Sequence, residues 1–284
     1  MLLIVGYIII LLASVGTYAV HGSLAALFVP LEYLAIIGLT IGGFVAGNSM
    51  KNIKATLGAL PGLFKPSHYN KVFYVEVLAM LFEILAKVRK EGLMSIENDV
   101  ENPEASPIFT KYPVFLHDHH AMEFLCDYLR MMVGGNLNAF ELESLMDVEI
   151  ETHHSEAHVA AHIMAKVGDA TPAFGIVVAV MGVVNVMGSV GEPPAVLGKM
   201  IGGALVGTFL GILVSYGFVS PVASQLEQKC EEGGKIFQCI KTVLLASMSG
   251  YAPQVAVEFG RKVLYSTDRP GFAELEAEIK NRKK

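Results

Sequence analysis

The chain has 284 residues, 53% of them hydrophobic and only 17% charged, a balance too apolar for an ordinary soluble domain. Its formal net charge of −6 is spread over the polar regions, which argues against nucleic-acid binding and against an anionic-lipid anchor. Three cysteines without CxxC spacing indicate neither a disulfide framework nor a zinc site.

The apolar residues fall in blocks. Residues 1–20 form a first block with no basic n-region, and Val20-His21-Gly22 is a poor cleavage site, so the block reads as an uncleaved membrane span rather than a signal peptide. Residues 33–50 form a second span, where Gly38, Gly42, Gly43 and Gly47 have the small-xxx-small spacing that lets helices approach closely in lipid. A polar stretch follows over residues 51–170, with apolar residues at helical rather than alternating spacing. Within it VFYVEVLAMLFEILAKVRK (72–90) predicts a long amphipathic helix ending near Gly92, and SIENDVEN a shorter one terminated by Pro103. Arg89 and Glu97 are then opposite charges on neighbouring turns of a helical hairpin. A helix over 121–133 stops at Gly134-Gly135, and Asn138 with Glu141 forms a capping-box start for a helix reaching about Val167.

Two more spans follow, 171–190 opened by Pro172 and 200–222 closed by Pro221, with Gly203, Gly207 and Gly211 again spaced by four. The glycine faces serve packing either inside one subunit or between subunits. Residues 223–284 read as a C-terminal helical region. The expected fold is therefore an all-α integral membrane protein, with four spans among membrane lipids and a large helical domain between the second and third. Of the 21 Lys and Arg residues, ten lie in 51–171, ten in 229–284, and only Lys199 in a short connection. With Lys51, Lys54 and Lys166 beside span ends, this places both polar regions and both termini in the cytoplasm.

The paired spans carry the functional signal. Thr208, Ser215, Tyr216 and Asn185 lie within them, yet neither apolar run contains Asp, Glu, Arg or His. Intramembrane carboxylates are costly and mark ion relays; a conducting assembly built from this hairpin must take its titrating group from a partner helix. Thr208 either lines such a path or bonds back to its own helix, and Pro172 and Pro221 are either hinges or plain helix-end markers. Seven of the nine histidines fall between His117 and His162. His154, His158 and His162, four residues apart, share a helix face that reads as a metal site, a pH-sensitive face or an ordinary polar surface. GEPPAVLGKM and EEGGKI lack the phosphate-loop pattern and no GxSxG occurs, so the residues give no basis for an enzyme or a bound cofactor.

MLLIVGYIIILL, GNSMKNIKATLGALP, AKVRKEGLMSIENDVENP, VGDATPAFGIVVAVMGVV, ALVGTFLGILVSYGFVSP and GYAPQVAVEFGRK together resemble the flagellar motor stator proteins of the MotA/TolQ/ExbB proton channel family, nearly end to end. The resemblance implies an inner-membrane subunit, five copies around a MotB dimer whose transmembrane Asp carries the proton. It implies that Arg89 and Glu97 engage the rotor protein FliG, that Pro172 and Pro221 couple protonation to movement, and that Thr208 and Tyr216 face the partner helix. Sodium-driven relatives carry Thr where this chain has Ala179, which points to protons as the coupling ion. Two rival readings remain: an ExbB- or TolQ-like motor serving the outer membrane, and a scaffold without ion flux.

Overall fold

The computed structural model describes residues 2–135 and 138–282, and among the described residues it contains helices and connecting loops but no strand. In chain order the principal helices are α1 (Leu2–Leu11), α2 (Pro30–Ala46), α3 (Met50–Ala59), α4 (Lys71–Glu91), α5 (Glu97–Glu101), α6 (His119–Gly134), α7 (Ala139–Met187), α8 (Pro194–Val214), α9 (Ser220–Met248), α10 (Pro253–Val263) and α11 (Phe272–Arg282). A π-helical stretch, Leu12–Gly16, continues α1, and another, Ser215–Val219, joins α8 to α9. The chain divides into two units, Met1–Pro66 with Ala157–Gln228, and Ser67–Glu156 with Lys229–Lys284.

The first unit holds the apolar helices. Among the described residues four are long and apolar enough to cross a bilayer: Leu2–Val20, Leu24–Ala46, and parts of Ala139–Met187 and Pro194–Met248. Ile4, Ile8, Leu34, Ile37, Val180 and Leu205 are all exposed, the outward apolar pattern that lipid or neighbouring subunits must cover. The interior is small: Ile36, Val178, Val206 and Leu210 form one cluster, and Leu63, Ala160, Ala161 and Leu226 another.

The second unit has the larger core. One face of α4 (Tyr74, Val77, Leu78, Leu81, Ile84) packs with Phe109, Phe115, Phe124, Tyr128 and the α9 residues Ile236, Ile240 and Val243 in one cluster. Polar caps define the helix ends. Asn70 accepts from Phe73 N at 3.1 Å and Asp118 from Ala121 N at 3.2 Å, filling donors that the first helical turn leaves open. Gly92 (φ 87°) and Gly135 (φ 68°) end α4 and α6 in a backbone region that favours glycine. The Asn138–Glu141 capping box forms in both directions, at 2.9 and 3.0 Å.

One expectation is corrected. The helix begun at Asn138 does not stop near Val167 to restart at Pro172; α7 is a single helix of 49 residues with Pro172 inside it. Likewise the chain passes through the π turn into α9 without ending at Pro221. Neither proline is a helix-end marker. An internal proline is tolerated where a neighbouring helix supplies the lost hydrogen bond, as Ser215 does for Pro172; at Pro221 the preceding π turn carries the irregularity.

Candidate functional site: a glycine-packed transmembrane hairpin

The third and fourth spans meet along a seam of small residues. A methyl group on Gly211 would lie 2.8 Å from Gly175 Cα and 3.2 Å from Thr171 O; one on Gly175 would lie 2.8 Å from Gly207 O. Nearer the hairpin tip, a methyl on Gly182 would reach 3.1 Å from Ala204 Cα. Backbone touches backbone over several turns, so any side chain at these positions must push the helices apart. Gly207 and Gly211 thus pack within the chain. In span two, Gly43 meets Phe174, whereas Gly38 and Gly42 meet nothing within 4 Å.

Pro172 has no N–H, so the carbonyl four residues back, Gly168 O, loses its α-helical donor. The fully buried Ser215 supplies one from the other helix: its Oγ donates to Gly168 O at 2.6 Å. Thr171 Oγ1 donates to Val167 O at 2.6 Å on the same turn. Ser215 also opens the π segment, whose register shift is seen where Ser220 N bonds to Ser215 O. A π turn commonly marks a functional site, and this one ends two residues before Pro221. Tyr7 of the first span donates its hydroxyl to Phe218 O at 2.8 Å, and its ring packs 4.9 Å from the Phe218 ring.

The remaining predicted positions fall around this seam. Ala179 is half-buried, with its backbone N 3.4 Å from where a Gly207 methyl would sit. Thr208 follows Gly207 and is half-buried. The hydroxyls of Thr17, Thr56 and Thr171 bond back to their own helices; among the described residues Thr208 shows no such bond, so its hydroxyl stays available. Tyr216 is 64% exposed, and Leu205, Phe209 and Ile212 of the same span are exposed as well. Outside the hairpin, Glu32 stands in the first turn of α2, where a methyl on Gly203 would be 3.9 Å from its Oε1.

Arg89 and Glu97 belong to the second unit. Both are exposed, on either side of the Gly92 turn. The edge is fixed from beneath: buried Asp99 accepts from Lys87 Nζ at 2.7 Å and from Ser106 Oγ at 2.6 Å. Ser106 Oγ in turn accepts from the backbone N–H groups of Ile108 and Phe109. In the histidine group, His153 packs 4.4 Å from the Phe237 ring and 6.0 Å from His120, and His154 Nε2 lies 3.3 Å from Glu231. Burial, and next the neighbouring His120, hold the His153 imidazole below its ordinary value.

Ser215 and Gly168 carry no motif of their own. The signal for them was positional: Gly168, Gly175 and Gly182 recur every seven residues, and Gly168 stands four before Pro172, where a carbonyl must find a new donor.

The motility protein A N-terminal model matches residues 4–92, and the model of the MotA/TolQ/ExbB proton channel family matches residues 117–238. The chain is 52% identical to motility protein A of Escherichia coli over 281 residues, 99% of this chain and 95% of that one. The chain belongs to the MotA/TolQ/ExbB proton channel family. Within that family it stands on the motility protein A branch: motility protein A of Salmonella typhimurium is 50% identical over the same 99% and 95%. Among solved structures, the flagellar MotAB stator complex from Bacillus subtilis matches with a TM-score of 0.72 at 27% identity, over 90% of this chain and 92% of that one. The family membership fits the hairpin: a proton-channel subunit of the flagellar stator, with apolar helices for a membrane.

Proposed function

We propose that this chain forms the wall of a proton path around a MotB-type partner helix and turns proton flow into torque on the rotor. The observation that carries this is the hairpin itself, a tightly sealed pair of spans with available hydroxyls and no acidic or basic side chain in its apolar runs. The partner's Asp carries the proton, Thr208 and Tyr216 face it, and Pro172 and Pro221 pass its protonation state to the rotor-facing edge, where Arg89 and Glu97 engage FliG. Five copies surround a partner dimer in the bacterial inner membrane, with both termini cytoplasmic. Protons are favoured over sodium, because dehydrated sodium needs several oxygen ligands and Ala179 offers a methyl group.

The energetics suffice. A proton crossing about 100 mV releases about 2.3 kcal/mol, enough to shift a packed helix pair between two arrangements. The ExbB- or TolQ-like alternative is disfavoured by end-to-end identity with motility proteins. The test is complementation of a strain lacking its own stator A subunit. The chain with its partner should restore swimming, abolished by a proton uncoupler and indifferent to sodium removal. Arg89→Glu should cut swimming and FliG binding severalfold; swimming and FliG binding at wild-type levels would sink the torque assignment.

A further inference from the structure

We infer that Ser215 is a positioning residue that ties the two proline joints of the hairpin together, so that span three cannot change its bend without span four changing its register. The inference rests on the stator reading above. Its basis is the coincidence of three features at one atom. Ser215 Oγ donates at 2.6 Å to the carbonyl of Gly168, which Pro172 leaves without its α-helical donor. Ser215 O accepts the i+5 bond from Ser220 N that closes the π turn. That turn ends two residues before Pro221. One side chain therefore satisfies the break in span three, while its own backbone holds the irregular register in span four.

The setting makes the bond consequential. Ser215 is fully buried, so no water replaces it. Gly168 packs against the same turn, since a methyl there would lie 3.0 Å from Ser220 Oγ, and this closeness is what allows a serine to reach across. A buried carbonyl left unpaired is strongly unfavourable, so straightening α7 at Pro172 and resetting the π turn are linked moves. On the far side of the π turn, Tyr7 donates to Phe218 O at 2.8 Å. Gly217 meets Ile10, at 3.2 Å for an added methyl, so span one backs the turn and leaves Ser215 the link within the hairpin.

The prediction is uncoupling rather than blockage. In cells making the full chain with its MotB-type partner, Ser215→Ala should keep proton leak through the plug-deleted complex within about twofold of wild type. Torque added per stator unit, read from stepwise speed increments of single motors, should fall about threefold or more, the scale of one net hydrogen bond. The number of steps should be unchanged. Ser215→Cys, a weak donor of similar size, should recover part of the torque. A second measurement does not depend on motility. In Pro172→Ala, residue 172 regains an N–H for Gly168 O, so Ser215→Ala should lower the thermal stability of the purified complex in the wild-type background but not in that one. Torque per unit equal to wild type, or stability losses that simply add, would overturn the inference. Absence of speed steps with the wild-type chain would instead overturn the stator reading.

Discussion

His153 shows how much one side chain's surroundings decide. It sits against Phe237 and beside His120, with Asp118, Glu149 and Glu156 pulling its imidazole in the opposite direction from burial. Because its folded value lies below the unfolded one, the unfolded chain binds the proton more readily. Its stabilising contribution is therefore complete above about pH 6.5 and is lost as pH falls from there through the folded value. Thermal unfolding of the purified complex should drop between pH 7.5 and 5.5, and His153→Gln should flatten part of that drop; an identical pH profile would refute the assignment. Residues that differ from their surroundings could be singled out in the sequence as candidates: prolines in apolar runs, a threonine, and the opposite charges Arg89 and Glu97. The role of Ser215 was not legible, because a serine in a transmembrane helix usually bonds to its own backbone. Only the fold reveals that its acceptor is on another helix.

At the level of elements, close packing is set by glycines that no larger residue can replace. Gly211→Leu should separate spans three and four and abolish assembly with the partner. Gly211→Ala should be milder, costing about 1–3 kcal/mol by thermal unfolding of the complex; an unchanged melting profile would show that the seam yields. In the second unit, a methyl on Gly260 of α10 would lie 3.1 Å from both Cys239 O and Cys239 Sγ of α9. Gly260→Ala should therefore lower stability by a similar amount, measurable by hydrogen exchange in α9 and α10. Element ends were largely readable, because Gly92, Gly135 and the Asn138–Glu141 box act through local chemistry. The continuity of α7 was not. Proline disfavours a helix by local rules, and the compensation comes from Ser215, 47 positions beyond the Gly168 carbonyl that it caps.

For the whole molecule, the four spans and the all-helical class followed from hydropathy, since lipid leaves few structural options. The division into units did not follow, because each is built from two separated chain segments and that pairing depends on long-range packing. Two helices, α7 and α9, contribute residues to both units. Their continuity gives the hairpin's joints an unbroken backbone into the segments that precede and follow it. The absence of acidic and basic side chains from the hairpin's apolar runs, together with the sealed glycine seam, has a consequence for the cell. If the proposed path is right, a copy of this chain inserted without its companion should be electrically silent, so that surplus synthesis should leave the membrane potential intact and ion leakage should follow the supply of the companion.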